Sequence, residues 1–110
     1  SIVVTHGLLA PVNMTPEQAK EADGLGAYVE FVGNAMIGTQ KSSDFATYSK
    51  AMRAVGLDRC ILSSDLGQVN NPVHPDGLET IFAGLRGAGM TVAEIDMIAK
   101  RNPARLLGLE

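Results

Sequence analysis

The chain has 110 residues, 45% of them hydrophobic and 19% charged, with a formal net charge of −3. That composition suits one soluble domain with a modest core. It argues against nucleic-acid or membrane partners: the nine Lys and Arg are scattered, whereas phosphate recognition needs a clustered basic face, and no stretch approaches the ~20 apolar residues of a membrane span. Its single cysteine, Cys60, cannot close an internal disulfide, so the expected compartment is the reducing cytoplasm.

In chain order, Ile2-Val3-Val4-Thr5-His6 is a β-branched run that predicts a buried strand ending at His6 and Gly7. After a loop with Pro11 and Asn13, Thr15-Pro16-Glu17-Gln18 predicts a helix start, with Thr15 as cap, Pro16 at the first position and Gln18 closing a capping box. Gly24 and Gly26 end that helix. Residues 27–32 predict the second strand, and past a loop holding Gly33, Asn34 and Gly38 a helix runs from Ser43 to Val55. Residues 60–65 predict the third strand. A long loop leads to His74-Pro75-Asp76, which opens a helix carrying Leu78, Ile81, Phe82 and Leu85 at helical spacing. Thr91 and Glu94 form a second capping box for a helix to Lys100, and Asn102-Pro103 caps a last turn that Gly108 ends.

Strands joined through helices run parallel, so all three C-terminal ends open on one face. The expected class is therefore α/β. Three parallel strands alone leave two bare edges, and a full (β/α)₈ barrel takes about 250 residues. Residues 1–110 are thus expected to be a single partial domain. The alternative is a small independent α/β module that associates through its sheet edges.

Period-two geometry then sorts the side chains. If Val29, Phe31 and Leu62 face the helices, His6, Glu30 and Asp65 project to the opposite side. A histidine and a carboxylate at strand C-termini are the ligand types a catalytic divalent metal takes, and such a carboxylate can accept a proton from metal-bound water. A strand-end His is also a common packing residue, Ser-Ser-Asp a common turn, and Glu30 an expected partner for an arginine as much as for a substrate.

Ile61-Leu62-Ser63-Ser64-Asp65-Leu66-Gly67-Gln68 and Asn102-Pro103-Ala104-Arg105-Leu106-Leu107-Gly108-Leu109 resemble the amidohydrolase superfamily, as does the loop Asn71-Pro72-Val73-His74-Pro75-Asp76-Gly77-Leu78. The loop is similar to that of predicted metal-dependent TIM-barrel hydrolases related to the phosphotriesterase-like and TatD-like branches. The resemblance implies that the chain carries the last three βα units, strands six to eight with their helices. It makes Asp65 both metal ligand and general base, and His6 the strand-six metal or substrate ligand. The implied cofactor is a divalent metal, zinc first, with manganese or nickel as alternatives. Glu30, Asn34, Gln68 and His74 are the expected substrate contacts, although His74 also suits a helix cap.

The family's paired histidines on strand one and its bridging ligand on strands four and five have no counterpart here. The chain alone is therefore expected to be inactive and to partner either the missing part of its barrel or further copies of itself. The expected function is hydrolysis of an amide, ester or phosphoester in a small-molecule substrate by metal-activated water. Two other readings are an edge-associating module without activity, and a phosphate-binding barrel using backbone N–H groups at Gly33, Gly67 and the helix start at Pro75.

Overall fold

Three short parallel strands, β1 (Val3–Val4), β2 (Tyr28–Val32) and β3 (Cys60–Ser63), form one sheet in the order β1-β2-β3. The computed structural model describes residues 2–7 and 12–109. Pro11 of the first loop lies outside them. The register places Val3 beside Tyr28, Glu30 beside Ile61 and Val32 beside Ser63. The α/β class and the parallel sheet are as the sequence predicts. Two strands are shorter than predicted at their C-terminal ends: β1 stops before His6 and β3 before Asp65. Each of these residues has a positive φ, 57° and 50° respectively, which no strand accommodates.

The helices follow from local chemistry. In α1 (Pro16–Gly24), Thr15 Oγ1 accepts from the Gln18 amide at 3.1 Å, and Gln18 Oε1 accepts from the Thr15 amide at 2.9 Å, the predicted capping box. The single turn α2 (Asn34–Ile37) was not foreseen, since four residues are too few for a periodic signal. Next, α3 (Phe45–Val55) starts later than predicted because Asp44 takes the cap, accepting from the Thr47 amide at 2.8 Å. After a 3₁₀ turn at Leu57–Arg59 and β3 come α4 (His74–Gly87) and α5 (Val92–Asp96). A π-helical turn at Met97–Arg101 joins α5 to α6 (Asn102–Leu106). The second capping box, Thr91 with Glu94, forms as predicted.

One face of the sheet builds the core. Val29, Phe31, Cys60 and Leu62 pack with Ala19 of α1, Met52 and Val55 of α3, and Ile81 and Leu85 of α4. Phe31 meets Tyr48 edge to face at 6.3 Å between ring centroids, a favoured aromatic geometry. The α3–α4 approach requires Gly84, because a Cβ there would overlap the Phe45 ring. Along the alternate positions, Tyr28 and Ile61 are buried outside this cluster, while Glu30 and Ser63 are partly exposed.

Asn102 does not cap the last turn as expected. It is helical itself, at φ −64° and ψ −46°, because the chain passes from the π turn into α6 without a break. Its buried side chain instead spans to the start of β3. There Nδ2 donates to the carbonyls of Leu57 and Cys60, each at 2.7 Å, and Oδ1 accepts from Arg105 Nη2 at 2.8 Å.

Candidate active site at the strand C-termini

His6 and Asp65 occupy matching positions, each two residues beyond the end of its strand and each left-handed. Histidine and aspartate tolerate that conformation better than most side chains, and strain of this kind gathers at functional sites. The two turns bring the side chains together: His6 Nε2 lies 3.2 Å from Asp65 Oδ2, and the side chains keep 32% and 28% of their surface exposed. His6 and Asp65, expected on one side of the sheet by strand alternation, come together through turns instead.

Glu30 lines a crevice with His6, Gly7, Tyr48 and neighbouring apolar residues. Its carboxylate accepts from Ser63 Oγ at 2.9 Å across the strand pair. A serine hydroxyl, rather than the arginine considered from sequence, is therefore its recorded partner.

On the far side of Asp65 a chain of amides begins. Gln68 Nε2 donates to Asp65 Oδ1 at 3.2 Å, and Gln68 Oε1 accepts from Asn71 Nδ2 at 2.6 Å. Asn71 Nδ2 also donates to Asn34 Oδ1 at 3.2 Å, while Asn71 Oδ1 accepts from the Thr39 backbone amide at 2.8 Å. Asn34 continues to Gln40, donating from Nδ2 to Oε1 at 3.2 Å and accepting the Gln40 amide on Oδ1 at 3.4 Å. Asn34, expected at the substrate rim, is fully buried here, and its amide braces α2 against the loop after β3. Gly38 packs on that amide so closely that a Cβ would overlap it. Gln68 is exposed and remains at the rim.

His74 stands on the neighbouring residue, with Nδ1 2.6 Å from Ser64 Oγ. It does not cap α4, whose cap position is Val73, because as the first helical residue its side chain turns back to the loop. The phosphate-site expectation loses one of its donors, since the Gly33 amide is taken by the Ser63 carbonyl at 2.8 Å.

The donor set fits a divalent metal in part. Two ligands about 2.0–2.2 Å from one tetrahedral zinc stand roughly 3.3–3.5 Å apart, close to the 3.2 Å between His6 Nε2 and Asp65 Oδ2. Among the described residues no third His, Cys, Asp or Glu joins them, and a catalytic zinc takes three protein ligands. Asn71, Gln40 and Ser64 were not singled out from the sequence. Their roles come from loop geometry, and only the density of amide side chains between Gln68 and Asn71 hints at them.

No protein-family model, curated protein or solved structure matches the chain.

Proposed function

We propose that the chain is the C-terminal part of a metal-dependent barrel hydrolase, with Asp65 as metal ligand and general base and His6 as metal or substrate ligand. One observation carries the reading: an imidazole and a carboxylate from separate βα units meet at the C-terminal end of a parallel sheet, where α/β proteins place their chemistry. Sequential strand order and the polar Glu30–Ser63 pair opposite the core face support a barrel segment. A divalent ion held there would supply the activated water for attack on an amide, ester or phosphoester. The chain's own part is to hold the ion with His6 and Asp65, to accept the water's proton on the Asp65 carboxylate and to frame the substrate with Gln68 and His74. Zinc, manganese and nickel all suit a nitrogen and a carboxylate oxygen.

The test is Asp65→Asn in the complete natural polypeptide. Turnover should fall by about 10²-fold or more, the scale of a lost general base, and His6→Ala should lower metal content or substrate affinity. Retained turnover in Asp65→Asn refutes the assignment.

A second reading, association of sheet edges without catalysis, is favoured by the outer strand β1, where Ile2 is 71% and Val3 36% exposed. It predicts concentration-dependent self-association in sedimentation, unaffected by Asp65→Asn and without metal uptake.

A further inference from the structure

The hydrogen-bond chain that ends on Asp65 has a direction, and a backbone group sets it. A backbone N–H can only donate, so the atom of Asn71 facing the Thr39 amide must be its carbonyl oxygen. Asn71 Nδ2 is thereby turned toward Gln68 and Asn34. Gln68 must answer with its oxygen, which leaves its own NH₂ group to face Asp65. Asn34 is oriented independently by a second backbone donor, the Gln40 amide, and agrees in sense: its oxygen faces Asn71. Two backbone donors thus enforce one polarity along four side chains, with no amide free to flip alone.

We propose that Asn71 is a positioning residue for this site: anchored by Thr39, it fixes Gln68 as a donor to Asp65 Oδ1, which leaves Oδ2 to accept from His6 Nε2. Asp65 sits in a left-handed turn at the mouth of a long loop, where a lone carboxylate would have several rotamers. With a donor fixed on each oxygen it keeps one in the metal-free chain, where His6 carries its proton on Nε2; a metal ion taken up through that nitrogen would displace the proton, while Gln68 would still hold Oδ1. The deduced polarity stands by itself; its service to catalysis rests on the reading of His6 and Asp65 given above.

The experiment is nitrogen-15 NMR of the histidine-labelled complete natural polypeptide, freed of metal by a chelator and near neutral pH. It compares the unmodified protein with Asn71→Asp and Gln68→Leu, the His6 and His74 signals being assigned with His6→Ala and His74→Ala. His74, bonded to Ser64 rather than to the chain of amides, is the internal control. Asn71→Asp keeps the acceptor for Thr39 but loses the donor, so Gln68 rotates and turns its oxygen on Asp65. Gln68→Leu cuts the link without touching the Thr39 anchor.

In the unmodified protein the His6 Nε2–H cross-peak should be present. In both variants it should be lost, with the two ring-nitrogen resonances moving together as the tautomers mix, while the His74 signals stay in place. An unchanged His6 pattern in both variants overturns the positioning role and leaves the proposed function standing. A His6 that already mixes tautomers in the unmodified protein removes the His6–Asp65 contact, and with it the observation on which the proposed function stands. A His74 change as large as that of His6 refutes positioning in favour of general loosening of the loop.

Discussion

Replacing Asn102 with alanine should be among the most damaging single changes on the side of the molecule away from the candidate site. The side chain is 1% exposed and makes three hydrogen bonds, two donated to the Leu57 and Cys60 carbonyls and one accepted from Arg105. At about 1 kcal/mol net for each, these come to about 3 kcal/mol, and a Cys60 carbonyl left buried without that donor moves the total toward 4. A domain of this size has a stability of only about 5–15 kcal/mol, and each kcal/mol shifts its melting temperature by roughly 4–8 °C. Urea unfolding followed by circular dichroism should therefore show a loss of about 3–4 kcal/mol. Asn102→Asp keeps the shape and the Arg105 contact, but it aims a carboxylate at two carbonyl oxygens, so its loss should be at least as large. A cost below about 1 kcal/mol for alanine, or an aspartate clearly milder than alanine, would refute the view that the clamp works through donation to the start of β3.

Glu94 accepts from Arg53 at 2.5 and 3.0 Å and closes the α5 capping box, and the Arg53 hydrogen bond, followed by that from the Thr91 amide, holds its carboxyl down at about 2. A carboxyl depressed in the folded state stabilises above its ordinary value and loses that contribution as pH falls. Thermal melts should thus weaken between about pH 5 and 2, and Glu94→Gln should flatten that slope; an identical slope in the variant argues against the pairing. Burial pushes the Cys60 thiol up to about 12, with Asp23 and Asp58 adding to the effect. Iodoacetamide at pH 8 should therefore label it only as fast as the fold opens, and labelling at the rate of a free thiol would contradict its burial.

Much of the fold was legible because the signals were local. Both capping boxes, the His74 helix start and the core-facing Val29 and Phe31 of β2 depend on neighbours within four residues, and each recurs in the structure, although Val32 joins the same core. The strand ends were harder to read, since His6 and Asp65 continue the polar alternation while their backbones leave the strand for left-handed turns. The burial of Asn34 was hard to read for a different reason. A polar residue just after a strand resembles a rim contact until the packing of Gly38 and the reach of Asn71 show it buried. The amide chain joins residues 34–40 to 65–71 across two βα units, and no spacing in one segment foretells a partner in the other.

The segments that carry the family resemblance also bear different kinds of information. Both polar side chains of the Asn102-Pro103-Ala104-Arg105 segment serve the N-terminal end of β3. Asn102 binds the Leu57 and Cys60 carbonyls, and Arg105 binds the Asp58 carbonyl and, from Nε, the Tyr28 hydroxyl at 3.3 Å. Residues at that end of a parallel sheet stabilise it, and chemistry collects at the other end. A match there bears on how the strand is held and is silent about catalysis, because one fold carries many activities. The case for hydrolysis rests instead on His6 and Asp65, in equivalent turns at the ends of strands that are not adjacent, with β2 between them. Two left-handed non-glycine residues meeting across an intervening strand are costly to maintain by packing alone, and the hydrogen bonds from Gln68 and His6 to the two Asp65 oxygens offset that strain. That arrangement, more than the motif, is what Asp65→Asn puts at risk.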